Sequence, residues 1–178
     1  WEFGFMLFDP SSTFESIETN VGFLRRIVDD GSVAAVFCKM LPYDGTPIKE
    51  TLMAQGRFNG DVCNPDYDFL DPRIARCYEA IGRTVGEWVR GSDCVAAMIN
   101  HAWHEVFVME RLFEPGADLV AYKTALSAVT KFSNNILFSV VEEICDGFRE
   151  GGGECQQYSG LGQIREQILA TLVQQRNR

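Results

Sequence analysis

The chain is short of the residues from which most self-contained catalytic centres are built. It has two histidines, and its six cysteines stand at 38, 63, 77, 94, 145 and 155, no two of them within four positions of each other. That spacing excludes a Cys-x-x-Cys redox or zinc motif. Positive charge is also scarce: 16 basic residues face 25 acidic ones, for a net charge of −9. Beyond Arg25-Arg26 and the tail residues Arg176 and Arg178 there is no basic cluster, so no nucleic-acid partner is expected. No apolar run reaches membrane-spanning length, and a membrane partner is not expected either. Internal repeats and low-complexity tracts are absent. What is present is core material: 178 residues, 46% of them hydrophobic, with 13 phenylalanines. That suffices for one domain, or one and a small second one. Irregularly spaced cysteines in so core-rich a chain point to a reducing compartment, and a cytoplasmic location is the expectation.

The strongest local signal lies in residues 1–47. Phe3, Phe5 and Leu7 alternate with Gly4, Met6 and Phe8, and both sets are largely apolar, the pattern of a strand buried on two faces near 2–8. Asp9-Pro10 stops it. Ser12 followed by Glu15 reads as a capping box that opens a helix over about 13–30. Its inward face is Phe14, Ile17, Val21, Leu24 and Ile27 or Val28, and Gly31 ends it. A second strand spans 33–40 and runs into Leu41-Pro42-Tyr43-Asp44-Gly45-Thr46-Pro47. Two buried strands joined by a helix pair in parallel. Asp9, Ser11, Ser12, Lys39, Tyr43, Asp44 and Thr46 then gather at one carboxyl edge, where α/β folds bind ligands. Ser12 reads best as a helix cap.

Downstream the pattern changes. A short helix is expected over 48–55 with Ile48, Leu52 and Met53 inward and Gly56 at its end. Residues 59–72 carry Asn-Gly, Asn-Pro and Asp-Pro steps and read as a crossing loop. From there apolar residues recur at helical spacing, giving helices near 72–90, 94–113, 117–148 and 160–175. The third is long enough to bend near Asn134-Asn135. Pro115-Gly116 closes the second, and Gly151-Gly152-Gly153 links the third to the last. Short connections suggest an antiparallel bundle.

The residues Gly4-Phe5-Met6-Leu7-Phe8-Asp9-Pro10, the helix start Ser12-Thr13-Phe14-Glu15, the turn Leu41 to Pro47 and the later Gly56-Arg57-Phe58 together resemble the back half of a radical S-adenosylmethionine enzyme barrel. The likeness covers about residues 1–70. It is greatest to the branch that carries a cobalamin-binding domain upstream, with its methylthiotransferase-like relatives. Phe8 stands where that family commonly has a second glycine, Ser12 stands where it has glutamate, and its Cys-x-x-x-Cys-x-x-Cys motif is absent here.

The resemblance implies an α/β chain changing to mostly α. Residues 1–58 would be a βαβ slice of a partial (β/α) TIM-like barrel, 59–72 a crossing loop, and 73–178 a helical bundle. It implies S-adenosylmethionine and a four-iron–four-sulfur cluster as cofactors, the cluster ligands lying in an upstream part of the same polypeptide, and is compatible with cobalamin. It places Gly4, Met6, Phe8, Asp9, Pro10 and Tyr43 toward the cofactor. Lys39, Asp44 and Thr46 would face a small-molecule or peptide substrate. On this reading the chain alone is inactive and holds no metal, and Phe3, Phe5 and Phe37 lack part of their cover. The alternative is a non-catalytic helical interaction module with a short βαβ cap.

Other features have plainer readings. His101 and His104 share a helix face with Glu105 beside them, but the spacing matches no zinc-protease pattern and no third ligand is evident. Gly151-Gly152-Gly153 and Ser159-Gly160-Leu161-Gly162 follow no strand and read as linkers. Cys77, Cys94 and Cys145 fall on apolar helical faces as small core residues. Cys38 alone lies near the polar edge.

Overall fold

In the computed structural model, residues 4–114, 116–151, 158 and 160–176 are described. The expectations resting on Phe3, Pro115, Gly152, Gly153, Cys155 and Ser159 lie outside them. The elements in order are β1 (Met6–Phe8), α1 (Phe14–Ile27), β2 (Cys38–Lys39), α2 (Pro47–Ala54), β3 (Phe58–Gly60), β4 (Pro65–Tyr67), α3 (Pro72–Val89), α4 (Val95–Leu112), α5 (Ala117–Arg149) and α6 (Leu161–Arg176). A small α/β start thus gives way to a mostly helical chain.

β1 and β2 pair in parallel, Met6 opposite Cys38 and Phe8 opposite Lys39, with an irregularity between them. The ladder rests on Cys38 N donating to Phe5 O and Met40 N to Phe8 O, each at 2.8 Å. The helix between the strands starts one residue later than the Ser12 pattern suggests. The Ser12 hydroxyl is taken by the Asp9 N–H at 2.8 Å, so the cap passes to Thr13. Thr13 and Ser16 then form the reciprocal box, each side chain accepting from the other's backbone N–H. After α1, Gly31 adopts φ +69°. A Cβ there would come within 2.6 Å of the Ser127 carbonyl oxygen, so only glycine lets this turn lie against α5.

The second strand is much shorter than expected. Val33, Ala34 and Ala35 are buried, but their backbone is not satisfied by a strand. Ala34 N donates to Asn100 Oδ1 on α4 at 2.9 Å, and Ala35 N to Asn134 Oδ1 on α5 at 2.8 Å. Asn134 Nδ2 returns a bond to Val33 O at 3.0 Å. One carboxamide therefore stands in for a strand's peptide group, which is how an extended apolar segment crosses a helical core without a sheet.

The expected crossing loop over 59–72 is instead largely a β-hairpin running into α3. β3 and β4 pair antiparallel, Phe58 opposite Tyr67 and Gly60 opposite Pro65. Gly60, at φ +80°, makes the turn, and Asp61 Oδ1 accepts from the N–H groups of Cys63 and Asn64. Pro65, Tyr67 and Phe69 point inward while Asp66, Asp68 and Leu70 are exposed, the alternation of a half-buried strand. In α2, Leu52 is buried as expected, but Ile48 and Met53 are exposed. That helix is two turns long and lays down a single contact stripe.

The core lies where α3, α4 and α6 pack on α5. Ile74, Cys77, Ile81, Val85 and Trp88 form the buried face of α3, and Val95, Ile99, Ala102 and Val106 that of α4. The chain runs through Asn134-Asn135 as one continuous 33-residue helix. Two of its buried hydroxyls are paired across the core: Trp88 Nε1 donates to Ser133 Oγ and Trp103 Nε1 to Thr130 Oγ1, both at 3.0 Å. Phe5 and Phe37 are half-buried, the Phe5 ring lying 5.7 Å from Phe23.

Candidate functional site

Because β1 and β2 run in parallel, the turns that follow them leave the same edge. The first turn is closed on itself. The Asp9 carboxylate accepts from Ser11 N at 2.7 Å and Ser11 Oγ at 2.8 Å, and Ser12 N donates to Asp9 O at 3.1 Å. Pro10 and Ser12 are buried beneath it. The second turn has the same character. Tyr43 O accepts from Thr46 Oγ1 at 2.6 Å and from Thr46 N at 3.3 Å, and Asp44 pairs with Lys49. The Thr46 hydroxyl is thereby spent on the turn that precedes α2. The Tyr43 side chain is the exception: it is 61% exposed.

Lys39 is drawn away from the edge. Its ammonium lies 4.1 Å from the Tyr67 ring centre, 4.9 Å from Phe69 and 5.5 Å from Tyr78, pairs with Asp66, and donates to Tyr67 O at 3.2 Å. A cation among three aromatic faces with a carboxylate at its mouth is held by the ring quadrupoles as well as by charge. The Phe8 ring packs edge-on against Phe69 and Tyr78 from below. Tyr67 donates its hydroxyl to Phe8 O at 3.4 Å. Burial pushes the Tyr67 hydroxyl well above its ordinary pKa, and the carboxylates of Asp9 and Asp66 add to it. Arg57, at the start of the hairpin, donates to Pro10 O and to Asp68 O. The hairpin is thus fastened across the carboxyl end of the β1–β2 pair at three points, Arg57, the Tyr67 hydroxyl and Lys39.

The sequence-derived residues divide accordingly. Phe8 and Pro10 are core side chains rather than ligand-facing ones, because the hairpin aromatics and the Asp9 turn pack over them. Asp9, Asp44, Thr46 and Lys39 spend their polar groups on internal partners. Gly4, Met6 and Tyr43 are open, Met6 being 59% exposed. Gly4 also borders a cavity of ≈ 390 Å³ with Val36, Val89, Cys94 and Asn100. Arg57, Asp66, Tyr67, Phe69 and Tyr78 were not legible as part of this edge. The Pro65-x-Tyr67-x-Phe69 alternation was their signal, and the surrounding Asn, Gly and Pro residues obscured it.

Gly4 and Met6 lie toward the start of β1, and Tyr43 lies beyond the end of β2, so the three exposed positions stand along the strand pair rather than at one point. Of the described cysteines, Cys77, Cys94 and Cys145 are buried, and Cys38 and Cys63 are exposed. Among the described residues no three His, Cys, Asp or Glu side chains converge to hold a metal. His101 pairs with Glu105 at 3.3 Å, and both histidines border a groove of ≈ 950 Å³ with Trp103, Met98 and Phe107. Among the described residues no helix is long and apolar enough to cross a membrane. Comparison with known protein families, curated proteins and solved structures finds no match to this chain.

Proposed function

We propose that this chain forms part of the cofactor and substrate wall of an enzyme of the radical S-adenosylmethionine type, a slice of its (β/α) barrel followed by a helical region. The observation that carries the reading is the parallel β1–β2 pair, which sends the Asp9-Pro10 and Leu41-Pro42-Tyr43 turns out of one edge. In such enzymes an iron–sulfur cluster supplies the electron for reductive cleavage of S-adenosylmethionine. The reading puts the cluster ligands on another stretch of the same polypeptide. This chain's own part is binding and exclusion of water. Tyr43 offers a planar face and a hydroxyl to a ring or ribose, Gly4 and Met6 offer close and polarisable contact, and the Arg57–Lys39 fastening keeps the hairpin shut over the end of β1.

The test is made on the whole polypeptide. Its reading frame upstream should contain Cys-x-x-x-Cys-x-x-Cys, and anaerobic reconstitution with iron and sulfide should load a cluster. Tyr43→Ala should weaken S-adenosylmethionine binding roughly tenfold, about 1.4 kcal/mol, with iron content unchanged. A polypeptide without the motif that binds no S-adenosylmethionine overturns the proposal. The interaction-module reading has one observation in its favour: Phe107, Met109, Leu112, Phe113 and Val120 are all exposed around the end of α4 and the start of α5. Under that reading, Leu112→Asp abolishes partner binding and Tyr43→Ala leaves it intact.

A further inference from the structure

Two thiols meet inside the helical core. Cys77 on α3 and Cys145 on α5 are both buried, and their sulfurs are 3.5 Å apart although 68 residues separate them in sequence. Bonded sulfurs stand at about 2.05 Å. The approach still needed is roughly 1.5 Å, shared by two side chains on helices already packed together. The two sulfurs are not equally placed. A cavity of ≈ 180 Å³ between α1 and α5 is bordered by Cys145, together with Ile17, Val21, Glu142 and Arg149. Cys145 keeps 5% of its surface exposed and Cys77 none, so a molecule as small as hydrogen peroxide meets Cys145 first.

We propose that Cys77 and Cys145 are a redox-sensitive pair that a peroxide converts to a disulfide, clamping α3 to α5. The Cys145 sulfur attacks one peroxide oxygen as its proton leaves. The O–O bond breaks, the sulfur becomes a sulfenic acid, and the departing hydroxide takes up the thiol proton as water. The Cys77 sulfur then displaces hydroxide from the Cys145 sulfur. The S–S bond forms, the S–O bond breaks, and the Cys77 proton leaves in a second water. Two thiols and one peroxide thus give one disulfide and two waters, with two electrons passing from sulfur to oxygen. In a reducing compartment the dithiol persists, and a peroxide pulse sets the clamp. The long loop it closes makes the clamp stabilising.

The experiment treats the reduced full chain with hydrogen peroxide, quenches it in acid, unfolds it, alkylates the remaining thiols with a maleimide and maps the peptides. The expected result is a peptide joining Cys77 to Cys145, removed by dithiothreitol, with Tm raised by about 10 °C in the oxidised protein. Cys77→Ala should lose both the joined peptide and the Tm rise, and its Cys145 should be trapped by dimedone as a sulfenic acid. Finding Cys77 and Cys145 both fully alkylated after peroxide treatment, while exposed Cys38 and Cys63 are oxidised, overturns the proposal. So does a cross-link that lowers Tm. The peptide map of the unsubstituted chain decides the matter even if the Cys77 variant fails to fold.

Discussion

Asn134 and Asn135 are neighbours of identical chemistry with opposite consequences. The Asn134 side chain is buried and bonds Ala35 N–H and Val33 C=O together. Asn135 is exposed and accepts one long bond, 3.4 Å, from Arg25. Replacing Asn134 by alanine strands a buried donor and a buried acceptor, so it should cost roughly 2–4 kcal/mol in urea unfolding. Asn135→Ala should stay within about 0.5 kcal/mol. Equal effects at the two positions would mean that the 33–35 segment draws no support from α5. At the start of α1 the same reasoning separates Ser12 from Thr13. Thr13→Ala removes a helix cap and should cost about 1 kcal/mol. Ser12→Ala acts on the preceding turn instead, leaving the Asp9 N–H unpaired, and should loosen residues 9–12 while α1 keeps its helicity by circular dichroism.

Among the elements, the hairpin stands apart from the helices. It is tied to the rest of the chain by Lys39 of β2, held against its Tyr67 ring, by Arg57 on the Pro10 carbonyl and by the Tyr67 hydroxyl on Phe8 O. Lys39→Met keeps the length of the side chain and removes the charge. The cation–π and ion-pair contributions lost amount to about 1–2 kcal/mol. Opening of the hairpin should become roughly tenfold more frequent, read as faster hydrogen exchange over residues 58–67. The amides of α3 and α5 should not change. Uniform acceleration across the chain would show that the hairpin unfolds only with the core. The α2 helix has Leu52 as its one buried residue, and its Lys49 ammonium lies 4.4 Å from the Phe58 ring centre of the hairpin.

For the molecule as a whole, acid is the informative perturbation. Backbone N–H groups hold Glu15, Asp30 and Asp61 below their ordinary carboxylate range, and the Arg73 guanidinium does so for Asp71. A carboxyl whose folded pKa is depressed contributes stability above its unfolded pKa, about 4, and loses it as pH falls through the folded value. The four act together, so the urea midpoint should hold between pH 7 and 5 and fall below about pH 4. Tyr67 works in the opposite direction. Its raised pKa contributes stability below about pH 10, lost as pH rises toward the folded value. Ultraviolet titration should therefore show tyrosine ionisation that comes only with unfolding and that is missing from Tyr67→Phe. If all five tyrosines ionise in one step near pH 10 with the fold intact, the packing of the hairpin over Phe8 is wrong.

The long helices were legible because a helix is a local object. Each backbone bond reaches four residues back and the buried face repeats every three or four, so the stripes Ile74 to Trp88 and Val95 to Val106 identify themselves without knowledge of a partner. The strands were legible only as apolar runs. Whether such a run becomes a strand depends on what satisfies its backbone, and for residues 34 and 35 the answer came from Asn100 and Asn134, 66 and 99 residues away. Lys39 likewise reads as a polar residue at a strand end until the hairpin folds back and sets Asp66, 27 residues on, beside it. The parallel pairing of the first two strands and the shared edge of their turns followed from the strand–helix–strand order. Which of the edge residues remain open was decided by tertiary packing, because a side chain's hydrogen-bond partners are chosen by proximity in space and the hairpin brings them from elsewhere in the chain.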